Sequence, residues 1–161
     1  MMQFDILAIG RLKQEAELKL QSRYIERINK SGPSLGIKSL QLTELVEAKS
    51  QETQTRKSDE AKRLISSLPK DAYLIALDEK GKSFSTSEFA ELIKKRKEDG
   101  HGSLSFAIGG PDGHGAELLE KASLKLSLSK LTLPHGLARV FLIEQLYRSL
   151  TIWSGHPYHR E

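Results

Sequence analysis

Cysteine is absent from all 161 residues, which excludes a disulfide framework, a thiolate zinc site and a cysteine nucleophile, and fits a reducing compartment. Proline and glycine are sparse, at 5 and 12 residues, so low-complexity and fibrous classes are excluded too. The most apolar stretch, residues 137–153, is broken by Arg139, Glu144 and Arg148, which argues against a membrane span. The opening Met1-Met2-Gln3-Phe4-Asp5 lacks a basic region, and the run Ile6-Leu7-Ala8-Ile9 is too short for a secretion signal. A cytoplasmic protein with no membrane partner is therefore expected.

What is present is enough for one compact domain. Hydrophobic residues make up 38% of the chain, and a chain near this length buries about two-thirds of the surface it exposes unfolded. The net charge of +4 is unevenly placed. Residues 1–120 are balanced, with 19 basic and 19 acidic side chains, whereas residues 121–161 carry six basic residues against Glu144 and Glu161. Three of the five histidines, His135, His156 and His159, lie in that same part. The C-terminal end is thus suited to an anion such as a nucleic-acid backbone.

Strand-like and helix-like patterns alternate. Residues 3–10, 37–42, 73–78, 103–109 and 125–129 read as strands, and 13–30, 52–68, 86–99, 115–122 and 137–153 as helices. This rhythm predicts an α/β fold, a mostly parallel sheet flanked by helices, in a single domain. The polar segment 46–59 reads as a mobile loop before its helix settles.

Five segments stand out as candidates. Leu77-Asp78 ends a buried strand, where ligands gather in open α/β sheets. Gly109, Gly110, Gly113 and Gly115 then fall within seven residues at a strand-to-helix junction, where backbone can approach a ligand closely. Their spacing is neither GxGxxG nor a phosphate-cradling loop. Next, Ser129-Lys130-Leu131-Thr132-Leu133-Pro134-His135 reads as an extended loop tucked into the interior, whose backbone groups a ligand would satisfy. The apolar helix 137–153 would be central to the monomer or packed on a second subunit, with Glu144 and Arg148 an i,i+4 pair. Last, the tail His156-Pro157-Tyr158-His159-Arg160-Glu161 holds groups that stack on a base, hold a phosphate or move a proton. A metal is not expected from His156 and His159 alone.

Taken in order, Leu77-Asp78, Ile108-Gly109-Gly110-Pro111-Asp112-Gly113, Leu131-Thr132-Leu133-Pro134-His135 and the terminal His156-Pro157-Tyr158-His159-Arg160-Glu161 resemble the large-subunit ribosomal RNA methyltransferase H family. These are the pseudouridine N3-methyltransferases of the SPOUT superfamily. The resemblance implies a C-terminal deep trefoil knot, an exception to the rule that chains do not thread loops. It also implies S-adenosylmethionine bound by Leu77, Gly109 and Ser129, Lys130, Leu131, Thr132, Leu133 and Pro134. A homodimer would methylate a pseudouridine of 23S RNA in the assembled ribosome, with residues 137–153 as its seam. Methylation at N3 requires loss of an imide proton. His135, Tyr158 and His159 are the candidate bases, and Arg139 and Arg160 the candidate phosphate or carbonyl holders. Two other readings compete. A non-catalytic RNA-binding or ribosome-binding factor would bind without turnover, and a dinucleotide-dependent oxidoreductase is disfavoured by the missing fingerprint.

Overall fold

The computed structural model describes residues 1–160; Glu161 of the terminal motif lies outside the described residues. The elements follow as β1 (Met2–Ile9), α1 (Glu15–Ser31), a 3-10 turn (Pro33–Leu35), β2 (Ile37–Leu45), α2 (Thr53–Ser66), β3 (Ala72–Ser83), α3 (Thr86–Glu98), β4 (Ser103–Ile108), α4 (Ala116–Lys121), β5 (Leu124–Ser127) and α5 (His135–Ser154). The five strands pair in parallel in the order β2-β1-β4-β3-β5. This is the α/β layered architecture that the alternation of patterns predicts.

β1 and β4 are central and buried along nearly their whole length, which is why they read as continuous apolar runs rather than alternating ones. On one face Phe4, Ile6, Ile75 and Phe106 pack with Ile28 of α1, Phe89 and Ile93 of α3, and Leu142, Ile143, Leu146 and Leu150 of α5. On the other, Leu7, Ile9, Leu74 and Ala107 pack with Ala61 and Leu64 of α2 and Leu118 of α4. The α3 boundary follows local chemistry: Ser85 and Glu88 form a reciprocal capping box, which satisfies donors the first turn leaves unpaired.

Three expectations need correction. β3 runs on to Ser83, pairing with β5 first through Ile75–Leu77 and again through Lys82–Ser83. Between the two, a Cβ on Gly81 would stand 2.6 Å from the Lys125 carbonyl, so only glycine lets the backbones lie this close. Segment 46–59 is not loose either: α2 begins at Thr53, the Arg63 guanidinium donates to the Val46 carbonyl at 2.5 Å, and Glu60 accepts the Ala48 N–H at 3.0 Å.

The third concerns α5, whose apolar surface is largely covered by its own chain. It lies between α1 and α3 on the major core. Trp153 donates to the Ala90 carbonyl at 3.0 Å and carries Lys97 over its ring at 5.1 Å. It is therefore an intramolecular anchor. What stays uncovered is one short stripe, Leu137 at 47% and Phe141 at 39% exposure. The basic run 94–97 at the end of α3 is tied to its surroundings. Arg96 pairs with Asp99 and sits over Tyr73, while Lys97 donates to the Leu35 carbonyl.

Candidate functional site

The carboxyl ends of β4 and β5, with residues 77–80 of β3 where that strand leaves β4, enclose a cleft of about 660 Å³, with Leu77, Gly109, Ser129, Leu131, Leu133 and His135 among its lining residues. Parallel strands place their carboxyl ends, and the loops that follow, on one edge of the sheet, the usual ligand position in this architecture. The size lies within the range of small-molecule pockets, and the walls combine leucines and Ile108 with the glycine turn and a charged edge of Lys57, Asp78, Glu79 and Lys80.

The glycine turn forms one wall. Gly113 donates to the Gly110 carbonyl at 3.0 Å and adopts φ +83°, a left-handed conformation that favours glycine. A Cβ on Gly109 would meet Gly113 backbone and the Nδ1 of His114, both at 3.1 Å. Gly109 is thus required by the closure of the turn onto His114, not by an open space kept for a ligand.

His114 is a residue that sequence reasoning missed. Its Nε2 lies 3.1 Å from the Ala107 carbonyl at the end of β4, while its Nδ1 is buried without a partner. Burial holds this imidazole below the ordinary histidine range against the pull of the Ala107 and Leu77 carbonyls and Asp78. The neutral tautomer carrying its proton on Nε2, donated to Ala107, is the one this geometry assigns. The available signal was an imidazole beside a strand end whose carbonyl needs a donor.

The segment after β5 is the opposite wall, and it is exposed rather than tucked inside. Leu131 is 79% exposed, and Lys130, Thr132 and Pro134 are exposed as well. Local bonds hold its shape: Ser127 donates to the Ser129 carbonyl at 3.0 Å, and the Ser129 hydroxyl accepts from the Leu131 N–H at 2.9 Å. The backbone turns on its own serines instead of on the core, which is how an apolar loop stays outside.

His135 opens α5 at the rim of the cleft. Partial burial, with the nearby Arg139 guanidinium, holds its ring below the ordinary histidine range against the Ile9 carbonyl and Glu47. Arg139 does not fit the role of phosphate holder. It has no exposed surface, and its guanidinium donates to Glu44 at 2.5 Å and to the Gly10 carbonyl at 3.3 Å. Glu44 also accepts the Leu12 N–H at 2.9 Å. Burial pushes the Glu44 carboxyl up, but the Leu12 N–H and Arg139 together hold it below its usual value. Arg139 pins the start of α5 to the ends of β1 and β2.

The tail forms a second cluster on α5. Tyr158 donates to Glu144 at 2.7 Å and shares a hydrogen bond with the Tyr24 hydroxyl at 3.2 Å. Burial, Tyr24 and Glu144 push its phenol far above the usual range. Arg148 reaches Glu144 at 2.8 Å and His159 Nδ1 at 3.1 Å, and sits 4.8 Å over the Tyr158 ring. Glu144 and Arg148 are therefore the dock of the tail, beyond the helix pair expected of them. Arg160 is exposed. At 1.5 Å per residue, Arg148 lies about 20 Å along the helix from His135. One chain does not bring its cleft and its tail together.

Among the described residues there is no group of three or more metal-ligating side chains, and no helix is long and apolar enough to cross a membrane. Residues 2–159 match the family model described as "Predicted SPOUT methyltransferase". The chain is 44% identical over 159 residues to the protein named ribosomal RNA large subunit methyltransferase H of Brucella anthropi, covering 99% of each chain. It is equally similar to the proteins of that name from Allorhizobium ampelinum, over 99% of each chain, and Methylocella silvestris, over 99% of this chain and 100% of that one.

Proposed function

The chain belongs to the SPOUT methyltransferase family, and from that membership and the cleft we infer that it methylates N3 of a pseudouridine in large-subunit 23S RNA with S-adenosylmethionine. The observation that carries the reading is the cleft itself: a pocket of about 660 Å³ between the carboxyl ends of β4 and β5 and residues 77–80 of β3, closed on one side by a glycine turn and on the other by exposed Leu131 and half-buried Leu133. Its residues fit the cofactor. Leu77, Leu131 and Leu133 supply apolar walls for an adenine, and the backbone at Gly109 and Ser129 supplies polar groups for its edges, whereas Lys130, Thr132 and Pro134 lie outside the lining. When bound, the cofactor supplies an electrophilic methyl group on a sulfonium. The family implies the trefoil knot as the device that brings these segments together.

The chain's own task is to position the base and to remove its imide proton. His135 suits that role, being on the rim of the cleft and biased toward the neutral form. The ring nitrogen turned away from the Ile9 carbonyl takes the proton. Because the tail of one chain sits far from its own cleft, the second copy of a homodimer supplies it. Leu131, Leu137 and Phe141 are the apolar side chains left exposed beside the cleft for such a seam. Tyr158, His159 and Arg160 of the partner subunit then contact the RNA. A cytoplasmic ribosome is the expected substrate particle.

The test is transfer of labelled methyl from S-adenosylmethionine to ribosomes of a strain lacking this protein, with the product nucleotide identified by mass spectrometry. Methylpseudouridine in large-subunit RNA is expected. Ribosome binding with no cofactor affinity and no transfer would replace this reading with that of a binding factor.

A further inference from the structure

Three charged side chains of α2, Arg56, Glu60 and Arg63, follow one another at spacings of four and three, so they form a single stripe on successive turns. Each reaches the segment 46–52 rather than a neighbouring helix. Arg63 takes the Val46 carbonyl at 2.5 Å, Glu60 takes the Ala48 N–H at 3.0 Å, and Arg56 takes the Ser50 and Gln51 carbonyls at 2.9 Å each.

Two members of the stripe also meet the glycine turn. Arg56 Nε lies 2.9 Å from Asp112 Oδ2, and a Cβ on Gly110 would stand 3.1 Å from the Glu60 carboxylate. Glu60 is only 5% exposed. The tip of the turn has no apolar anchor of its own, since Pro111, Asp112 and Gly113 are all exposed. An exposed turn without buried side chains has little to fix its height.

We propose that Arg56 and Glu60 are positioning residues for cofactor binding: the Arg56–Asp112 pair, seated over the buried Glu60, fixes the wall formed by 109–113 before the ligand arrives. The inference rests on reading the cleft as the S-adenosylmethionine site. A preformed wall spares the ligand the cost of ordering it, so loosening the wall weakens affinity without touching the reacting groups.

The experiment compares the full-length wild type with Arg56→Met, Asp112→Asn and their double variant by calorimetry against S-adenosylmethionine, and by kinetics on ribosomes. Arg63→Met is the control, because it frees Val46 and leaves the turn alone. Each single variant should weaken binding about fivefold, the scale of one partly exposed charge pair. The double variant should be no weaker than either single one. KM for the cofactor should rise in step while kcat holds, and Arg63→Met should bind as the wild type does. Asp112→Asn alters an exposed side chain, so it remains informative even where Arg56→Met folds poorly. Wild-type binding with unchanged affinity in Asp112→Asn, multiplying effects in the double variant, or equal loss in Arg63→Met would each overturn this inference alone. Absence of wild-type binding would overturn the cleft reading and this inference with it.

Discussion

Arg139→Met removes the guanidinium that ties α5 to the ends of β1 and β2. The side chain is 0% exposed, while the Glu44 side chain with which it pairs retains 29% of its surface. Removing one partner of a fully buried pair costs about 3–5 kcal/mol, because the other is left as an uncompensated charge. Glu44 can still be hydrated and keeps the Leu12 N–H, so the cost here is placed below that range, at about 2 kcal/mol. For a chain of this length that corresponds to a fall in Tm of about 4–8 °C.

The acid side supplies a second reading of the same variant. The Glu44 carboxyl is held below its ordinary value in the folded state. Its stabilisation is therefore fully present above the ordinary carboxylate range and is lost as pH falls through the lowered folded value. Urea denaturation at neutral pH and again near pH 3 should show the gap between wild type and Arg139→Met narrowing at the lower pH. A variant as stable as wild type at neutral pH would refute the structural role, and the arginine would then be free to serve RNA.

Leu137→Asp with Phe141→Asp should convert the expected dimer to a folded monomer by sedimentation, and an unchanged dimer would place the seam elsewhere. His114 is held below its ordinary range, so its neutral form stabilises the cleft fully above that range and the contribution is lost as pH falls below it. Cofactor affinity should therefore drop on acidification more steeply in wild type than in His114→Gln, and parallel profiles would remove His114 from the account. Deleting residues 158–161 removes the Tyr158 hydrogen bonds, worth about 1 kcal/mol net, and should leave cofactor affinity nearly intact while abolishing transfer. Full activity of the truncated protein would make the tail a mere terminus.

The alternation of strand and helix was legible because β1 and β4 are buried on both faces and the helices only on one, a difference that the spacing of apolar residues records directly. The glycine turn was legible for a similar reason: Gly113 at positive φ is a requirement that few other residues meet. Arg139 was misread because an arginine within an apolar helix resembles a break in a greasy run, and its partner Glu44 is 95 residues away. His114 was invisible for want of the carbonyl it serves. The leucines at 131 and 133 were placed inside on hydrophobicity alone, whereas the serines beside them let the backbone turn without a core. The tail was singled out by composition alone, and its dock depends on Tyr24 of α1, which no local pattern names.

The position of α5 bears on how the chain is made. Leu142, Ile143, Leu146 and Leu150 complete the larger core, yet they belong to α5, which follows all five strands in the chain. Until residue 150 has been added, that face of the central strands has only the cover of α1 and α3 and lacks the share that α5 supplies. A nascent chain that has its five strands but not α5 thus carries a partly open apolar sheet, the kind of surface that aggregates or recruits chaperones. Ribosome stalling before α5 has emerged should yield insoluble fragments, whereas chains stalled beyond residue 154 should have the sheet closed.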